Sequence, residues 1–157
     1  MTKILIVCMG NICRSPMAHI VTSHFAEQAG LARTLKIDSA GTHAAHHGEP
    51  PDPRAKACLS GRGYTVGRSR SRPVSENDFS THDLILAMDH ANLRDLRRLC
   101  PLEHQPKLRL FLSFAPVVNE QEVPDPYYGS AQGFERVLDL CEAGAHGLIR
   151  YLQNSPH

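Results

Sequence analysis

The sequence carries no excess of either charge: 17 Lys and Arg stand against 16 Asp and Glu, a net charge of +1. That removes the global electrostatic bias expected of a protein built to bind nucleic acid or an anionic membrane. No apolar run approaches membrane-spanning length. The greasy stretch within Met1–Cys8 is too short for a signal peptide and no cleavage pattern follows it, so a cytoplasmic protein without membrane contact is expected. The five cysteines are odd in number and irregularly spaced (Cys8, Cys13, Cys58, Cys100, Cys141). This argues against a secreted disulfide scaffold and for a reducing compartment. Internal repeats and low-complexity segments are also missing. What remains is an ordinary globule, too hydrophobic at 41% for so small a net charge to be disordered. Its length fits one domain, residues 1–157. A domain of this size buries roughly 70% of its unfolded surface and needs no disulfide or structural metal.

Apolar runs and cap signals alternate along the chain. Ile4–Val7 is apolar throughout and mostly β-branched, which suits a strand covered on both faces. Ser15 offers an N-cap and Pro16 a first helical position, with Met17, Ile20, Val21 and Phe25 at helical spacing and Gly30 as a stop. Leu35–Asp38 reads as a second strand, followed by a Gly/His/Pro-rich loop over 40–52. Asp52-Pro53 repeats the cap-then-proline signal and opens a helix to about Gly61. Leu84–Ala87 is a third strand. Asp89 caps a helix carrying Leu93, Leu96 and Leu99 at core spacing, and Pro101 ends it. Leu108–Phe111 is a fourth strand, 115–129 a proline-containing loop, and a last helix runs through Phe134, Val137, Leu138, Cys141, Leu148, Ile149 and Leu152, weakened by Gly144 and Gly147. Strands alternating with helices predict an α/β three-layer sandwich: a small, about four-stranded parallel sheet flanked by helices on both faces. Ligands in such folds bind at the carboxyl ends of strands.

The loop after the first strand reads Cys8-Met9-Gly10-Asn11-Ile12-Cys13-Arg14, and Ser15-Pro16 then open a helix. Its backbone N–H groups can form an inward-facing nest, with Gly10 supplying the freedom for tight curvature. The helix N-terminus adds unpaired donors and the positive end of its dipole. Arg14 adds a planar fork that matches two phosphate oxygens. The same field favours a thiolate at Cys8, and Ser15 is placed to cap the helix and to donate to that sulfur. A cysteine nucleophile under a bound oxyanion is the chemistry this pattern points to.

Cys8 to Pro16 with Met17-Ala18 resembles the phosphate-binding loop of the low molecular weight protein tyrosine phosphatases. The resemblance continues through Asp38-Ser39-Ala40-Gly41-Thr42, Pro51-Asp52-Pro53-Arg54-Ala55, Met88-Asp89 with Asn92, and Asp125-Pro126-Tyr127-Tyr128-Gly129, in order over most of the chain. It implies a metal-independent, cofactor-free phosphatase acting on tyrosine-phosphorylated proteins through a cysteinyl-phosphate. On its terms Cys8 is the nucleophile and Arg14 the phosphoryl clamp. Asp125, in Pro124-Asp125-Pro126, is the general acid and then the base toward water. Met9, Gly10, Asn11, Ile12, Cys13, Ser15, Tyr127 and Tyr128 bind phosphate or substrate, and Ser39 supports the loop. Ile12 favours a flat aromatic phosphoester, since a threonine stands there in the resembling arginine-phosphate phosphatases. A monomer is expected.

Two positions depart from the family pattern. A wall position that often carries an aromatic ring falls on Ala45, leaving Tyr127 and Tyr128 without a facing aromatic partner. A histidine that often hydrogen-bonds the loop asparagine falls near Ser69. Arg62, Arg68, Arg70 and Arg72 read as a solvated basic cluster, without the interleaved aromatics of a nucleic-acid surface. His43, His46 and His47 lack the second cluster a metal site needs. Cys58, Cys100 and Cys141 read as buried thiols. Cys8 and Cys13 share one loop and one electropositive environment. This makes Cys13 the redox partner that captures an oxidised Cys8 as a disulfide. Two other activities fit the pattern less well. An arsenate reductase of this fold needs two further cysteines close together, and none are. A phosphocysteine carrier domain needs neither Arg14 nor Asp125.

Overall fold

In a computed structural model, residues 1–43 and 45–154 are described. Four strands, β1 (Thr2–Cys8), β2 (Leu35–Gly41), β3 (Leu84–Ala87) and β4 (Leu108–Leu110), form one sheet. Its order is β2-β1-β3-β4 and every pairing is parallel. Five helices, α1 (Arg14–Gln28), α2 (Pro53–Gly61), α3 (Glu76–Thr81), α4 (His90–Leu99) and α5 (Ala131–Asn154), cover it. The alternation of β1 explains the layers. Ile4 and Ile6 face one core with Met17 and Val21 of α1, Leu59 of α2 and Leu138 and Leu148 of α5. Leu5 and Val7 face the other with Phe79 of α3 and Leu93 and Leu96 of α4. All four β1 side chains are fully buried. At roughly 1.5–3 kcal/mol each, they make β1 the axis of the fold.

The chain leaves β1 to pair on one side with β2 and then returns to pair on the other with β3. The carboxyl end of β1 is therefore the switch point where such sheets open a crevice. Cys8 is the last residue of that strand.

Several local expectations need correction. Helix α1 begins at Arg14 with Cys13 in the cap position, and no side chain caps it. Ser15 sits inside the first turn, its hydroxyl turned toward the preceding loop. Asp52 and Asp89 do cap, accepting from the N–H groups of Arg54 and Asn92. Helix α3 had no apolar period to announce it and is held by a capping box between Ser75 and Asp78. Leu99, expected in the core, lies more than half exposed in the last turn of α4. Gly144 and Gly147 lie inside α5 and are required there for space. A Cβ on Gly144 would meet the Phe111 ring at 2.2 Å, and one on Gly147 would meet the Phe114 carbonyl at 1.7 Å. Glycine is what lets α5 lie against the short 3-10 turn Phe111–Phe114. Nor is the basic cluster simply solvated. Arg62 pairs with Glu135, Asp139 and Glu142 of α5, and Arg72 pairs with Asp38 and Asp78. Among the described residues, no helix is long and apolar enough to cross a membrane.

Candidate active site

The loop from Cys8 to Arg14 is shaped by what its carbonyls do. The Cys8 carbonyl accepts from Thr42 N–H at 2.9 Å, Met9 from His43 at 3.0 Å, Ile12 from Asp52 at 2.8 Å and Cys13 from Met17 at 3.1 Å. The Gly10 carbonyl accepts from the Ser71 hydroxyl at 2.9 Å. With the carbonyls committed outward, the amide edges turn inward and form a nest for an anion. The Asn11 N–H points at Cys8 Sγ, 3.3 Å away.

Curvature comes from Asn11, at φ +57°, the one non-glycine left-handed residue described, and not from Gly10. Asn11 is buried, and its side chain explains why it holds that shape. Its Nδ2 donates to Ser15 Oγ at 2.8 Å and to Ser39 Oγ at 3.0 Å. Its Oδ1 accepts from the Arg72 N–H at 3.0 Å. The Arg72 backbone thus takes the place of the histidine that the family pattern sets near Ser69, and Asn11 is held without one. Glycines matter here for space. A Cβ on Gly41 would meet the Met9 carbonyl at 2.6 Å, and one on Gly10 would meet the His46 ring at 2.9 Å.

Cys8 Sγ lies 3.0 Å from Ser15 Oγ, so the buried hydroxyl that does not cap α1 faces the sulfur instead. The Arg14 guanidinium is buried beside it. Nη1 donates to Asp89 Oδ2 at 2.6 Å and to the Val123 carbonyl at 3.0 Å, and Nη2 lies 3.6 Å from Asp125 Oδ2. Burial works against the Arg14 cation, but Cys8, Asp89 and Asp125 outweigh it and hold the side chain charged. Asp89 therefore has two tasks, capping α4 and fixing the plane of Arg14. Only its place at the carboxyl end of β3, next to β1, could have hinted at the second.

These groups open into a cleft of about 190 Å³ whose floor is the loop and whose walls include Ala45, His46, Asp125, Tyr127 and Tyr128. Tyr127 does have a facing ring, contrary to expectation. His46 lies 5.8 Å from it between centroids, at 49°, and is held by Glu49, whose Oε2 is 2.6 Å from its Nδ1. Tyr128 stands edge-on to Tyr127 at 4.9 Å and is almost wholly exposed. Cys13 is buried at the cleft edge, but its surroundings are not electropositive. Burial first, then Asp52, Cys8 and Asp125, push its thiol up to about 12. Cys58, Cys100 and Cys141 are buried free thiols that do not line this cleft.

A model of the low molecular weight phosphotyrosine protein phosphatases matches residues 3–156. A low molecular weight protein-tyrosine-phosphatase of Streptomyces coelicolor is 45% identical over 150 residues, covering 94% of this chain and 91% of the relative. Among solved structures, a protein tyrosine phosphatase from Entamoeba histolytica with Hepes in its active site superposes with a TM-score of 0.94 at 40% identity, over 98% of this chain and 97% of that one. A mutant of the YwlE arginine phosphatase with a phosphorylated active-site serine superposes at 0.88 and 26% identity, over 98% and 97%.

Proposed function

The chain belongs to the low molecular weight phosphotyrosine protein phosphatase family and is a cysteine-based protein tyrosine phosphatase; from that premise we propose how its residues divide the work. Cys8 attacks phosphorus as a thiolate, with Ser15 and the Asn11 N–H donating to the sulfur. The inward amides of residues 9–14 hold the equatorial oxygens. Arg14 has Nη1 committed to Asp89 and Val123, so its Nε/Nη2 edge is the one that grips two phosphoryl oxygens. Asp125, beside that edge, protonates the departing phenolate oxygen. The result is a cysteinyl-phosphate, and Asp125 then takes a proton from water as that water attacks phosphorus and releases phosphate. The phosphorylated active-site serine of the YwlE mutant supports a phosphoenzyme on this scaffold. Ile12, buried in the loop, and the Tyr127–His46 pair favour a flat aromatic substrate such as phosphotyrosine over phosphoarginine.

The observation that carries this reading is the convergence of Cys8, Arg14 and Asp125 on one cleft at the end of β1. The test is hydrolysis of matched phosphotyrosyl and phosphoarginyl peptides with a chelator present. Phosphotyrosine hydrolysis that vanadate blocks is expected. A preference for phosphoarginine, or activity abolished by the chelator, would overturn it.

Redox control belongs to the same loop. Peroxide oxidises the Cys8 thiolate to a sulfenic acid. The Cys13 sulfur then displaces its oxygen as water, leaving a Cys8–Cys13 disulfide that a dithiol reduces. Burial keeps Cys13 protonated, so Cys8 is the sulfur that peroxide oxidises first, and Cys13 gives up its proton as it attacks the sulfenic sulfur. All five cysteines are free thiols, which suits a reducing compartment such as the cytoplasm.

A further inference from the structure

The nucleophile and the acid sit on loops more than a hundred residues apart in sequence, and one side chain ties the two together. Arg54 lies in the first turn of α2. Its Nε donates to Asp52 Oδ1 at 3.1 Å, and its Nη2 donates to Asp52 Oδ2 at 3.0 Å and to the Tyr127 carbonyl at 2.9 Å. Behind it, the Asp52 N–H donates to the Ile12 carbonyl of the phosphate loop at 2.8 Å. Ahead of it, the Tyr127 N–H donates to Asp125 Oδ1 at 3.1 Å. A continuous chain thus runs from Ile12 through Asp52, Arg54 and Tyr127 to Asp125. The guanidinium also lies 4.7 Å from the Phe134 ring of α5 and 5.6 Å from the Tyr127 ring.

The loop around Asp125 is held from both sides. On its N-terminal side it is anchored by Val123, which is buried, donates to the Met88 carbonyl and accepts from Arg14. On its C-terminal side Pro126 is buried and Tyr127 packs against the core, while Tyr128 and Gly129 are exposed; Arg54 adds a hydrogen bond to the Tyr127 carbonyl. Asp52 is buried, so the two-pronged pair with it fixes the plane of the guanidinium. With that plane fixed, the remaining Nη2 hydrogen has one direction, toward Tyr127.

We propose that Arg54 is a positioning residue for the general acid, holding the Asp125 loop at a set distance from the phosphate loop through Asp52 on one side and Tyr127 on the other. This rests on Asp125 being the acid. Arg54 touches neither the sulfur nor the phosphoryl group, so its effect must pass through Asp125. It must therefore scale with how much the leaving group needs a proton.

The experiment compares kcat/KM for phenyl phosphate, a poor leaving group, and p-nitrophenyl phosphate, a good one, in the parent, Arg54→Met, Arg54→Lys, Asp125→Ala and the Arg54→Met/Asp125→Ala double variant. Acid catalysis contributes about 10²–10⁴-fold and small misplacements forfeit much of it. Arg54→Met should thus lose roughly tenfold on phenyl phosphate and less than about threefold on the nitrophenyl ester. Arg54→Lys, which can reach one partner but not both, should fall between. The double variant should be no worse than Asp125→Ala. Competitive inhibition by inorganic phosphate, which reads the phosphate loop alone, should not change. Equal losses on both esters, an added loss in the double variant, or weaker phosphate inhibition would overturn the proposal. If Arg54→Met does not fold, Arg54→Lys keeps Asp52 paired and carries the same comparison. An Asp125→Ala variant that treats both esters alike would instead remove Asp125 as the acid, an outcome separate from any failure of Arg54.

Discussion

Replacing Asn11 separates the two things that residue does. Its side chain makes three hydrogen bonds, to Ser15, Ser39 and the Arg72 backbone, in a site where it is 3% exposed. At about 0.5–1.5 kcal/mol net for each, removing them costs about 1.5–4.5 kcal/mol. Its backbone sits at φ +57°, which costs an alanine roughly 1–2 kcal/mol more than a glycine. Against this, glycine loosens the unfolded chain by about 0.4–1 kcal/mol relative to alanine. Asn11→Gly should therefore be more stable than Asn11→Ala by about 0.8 kcal/mol at the middle of those ranges, the reverse of the usual order in ordered structure. Both should fall clearly below the parent. Urea unfolding of the three proteins, with slopes compared, reads this directly. Both variants should also lose turnover, because the amide aimed at Cys8 Sγ is no longer fixed. An Asn11→Ala at least as stable as Asn11→Gly would refute the left-handed turn as the source of the loop's curvature. Two variants within the error of the parent would refute the network.

Other outcomes follow from the same geometry. His46→Ala removes one face of the cleft and should raise KM for a phosphotyrosyl peptide roughly three- to tenfold, the worth of one aromatic contact. His46→Phe should restore it, with inhibition by inorganic phosphate constant throughout. Peroxide should inactivate the enzyme and dithiothreitol revive it, while Cys13→Ser should be active but largely unrecoverable. Peptide mapping that pairs Cys8 with Cys58, Cys100 or Cys141 would contradict this. At Asp78, burial disfavours the charge, but the hydrogen bonds from Arg72 and Ser75 outweigh it and hold the carboxyl below its usual range. A carboxyl depressed on folding contributes stability above its unfolded value of about 3.9 that is lost as pH falls through the folded value. Arg72→Met should therefore lower stability at neutral pH and flatten its loss on acidification. An acid limb as steep as the parent's would be inconsistent with that pairing.

What was legible in the sequence was whatever lies on consecutive residues. Cys8 through Pro16 showed a strand end, an anion loop and a helix start because local chemistry dictates all three. The buried runs at Ile4–Val7 and Leu84–Ala87 and the Asp52 and Asp89 caps were legible for the same reason. What stayed hidden is made by residues brought together only by folding. Ser71 and Arg72 run beside the end of β2 and hold Gly10 and Asn11 across some sixty residues, yet in sequence they look like part of a solvated basic loop. His46 faces Tyr127 across eighty residues, and no periodicity signals a wall. Ser15 looked like a cap as well as a donor to Cys8 because Ser before Pro at a helix start usually caps, and the demand of Asn11 for its hydroxyl was out of view. Cys13 looked electropositive from its neighbour Arg14, but burial and two approaching carboxylates decide its environment.

The central claim is that phosphate passes through Cys8. Asp125→Ala leaves attack on a good leaving group largely intact but removes the base for hydrolysis, so it should accumulate the intermediate. The measurement is acid quench of Asp125→Ala during turnover of p-nitrophenyl phosphate, followed by mass mapping of the peptides. The phosphoryl group should appear on Cys8, and a Cys8→Ala variant should show neither the phosphopeptide nor a burst of nitrophenolate. A burst without phosphate on Cys8, phosphate on any other residue, or turnover by Cys8→Ala within about tenfold of the parent would contradict the account.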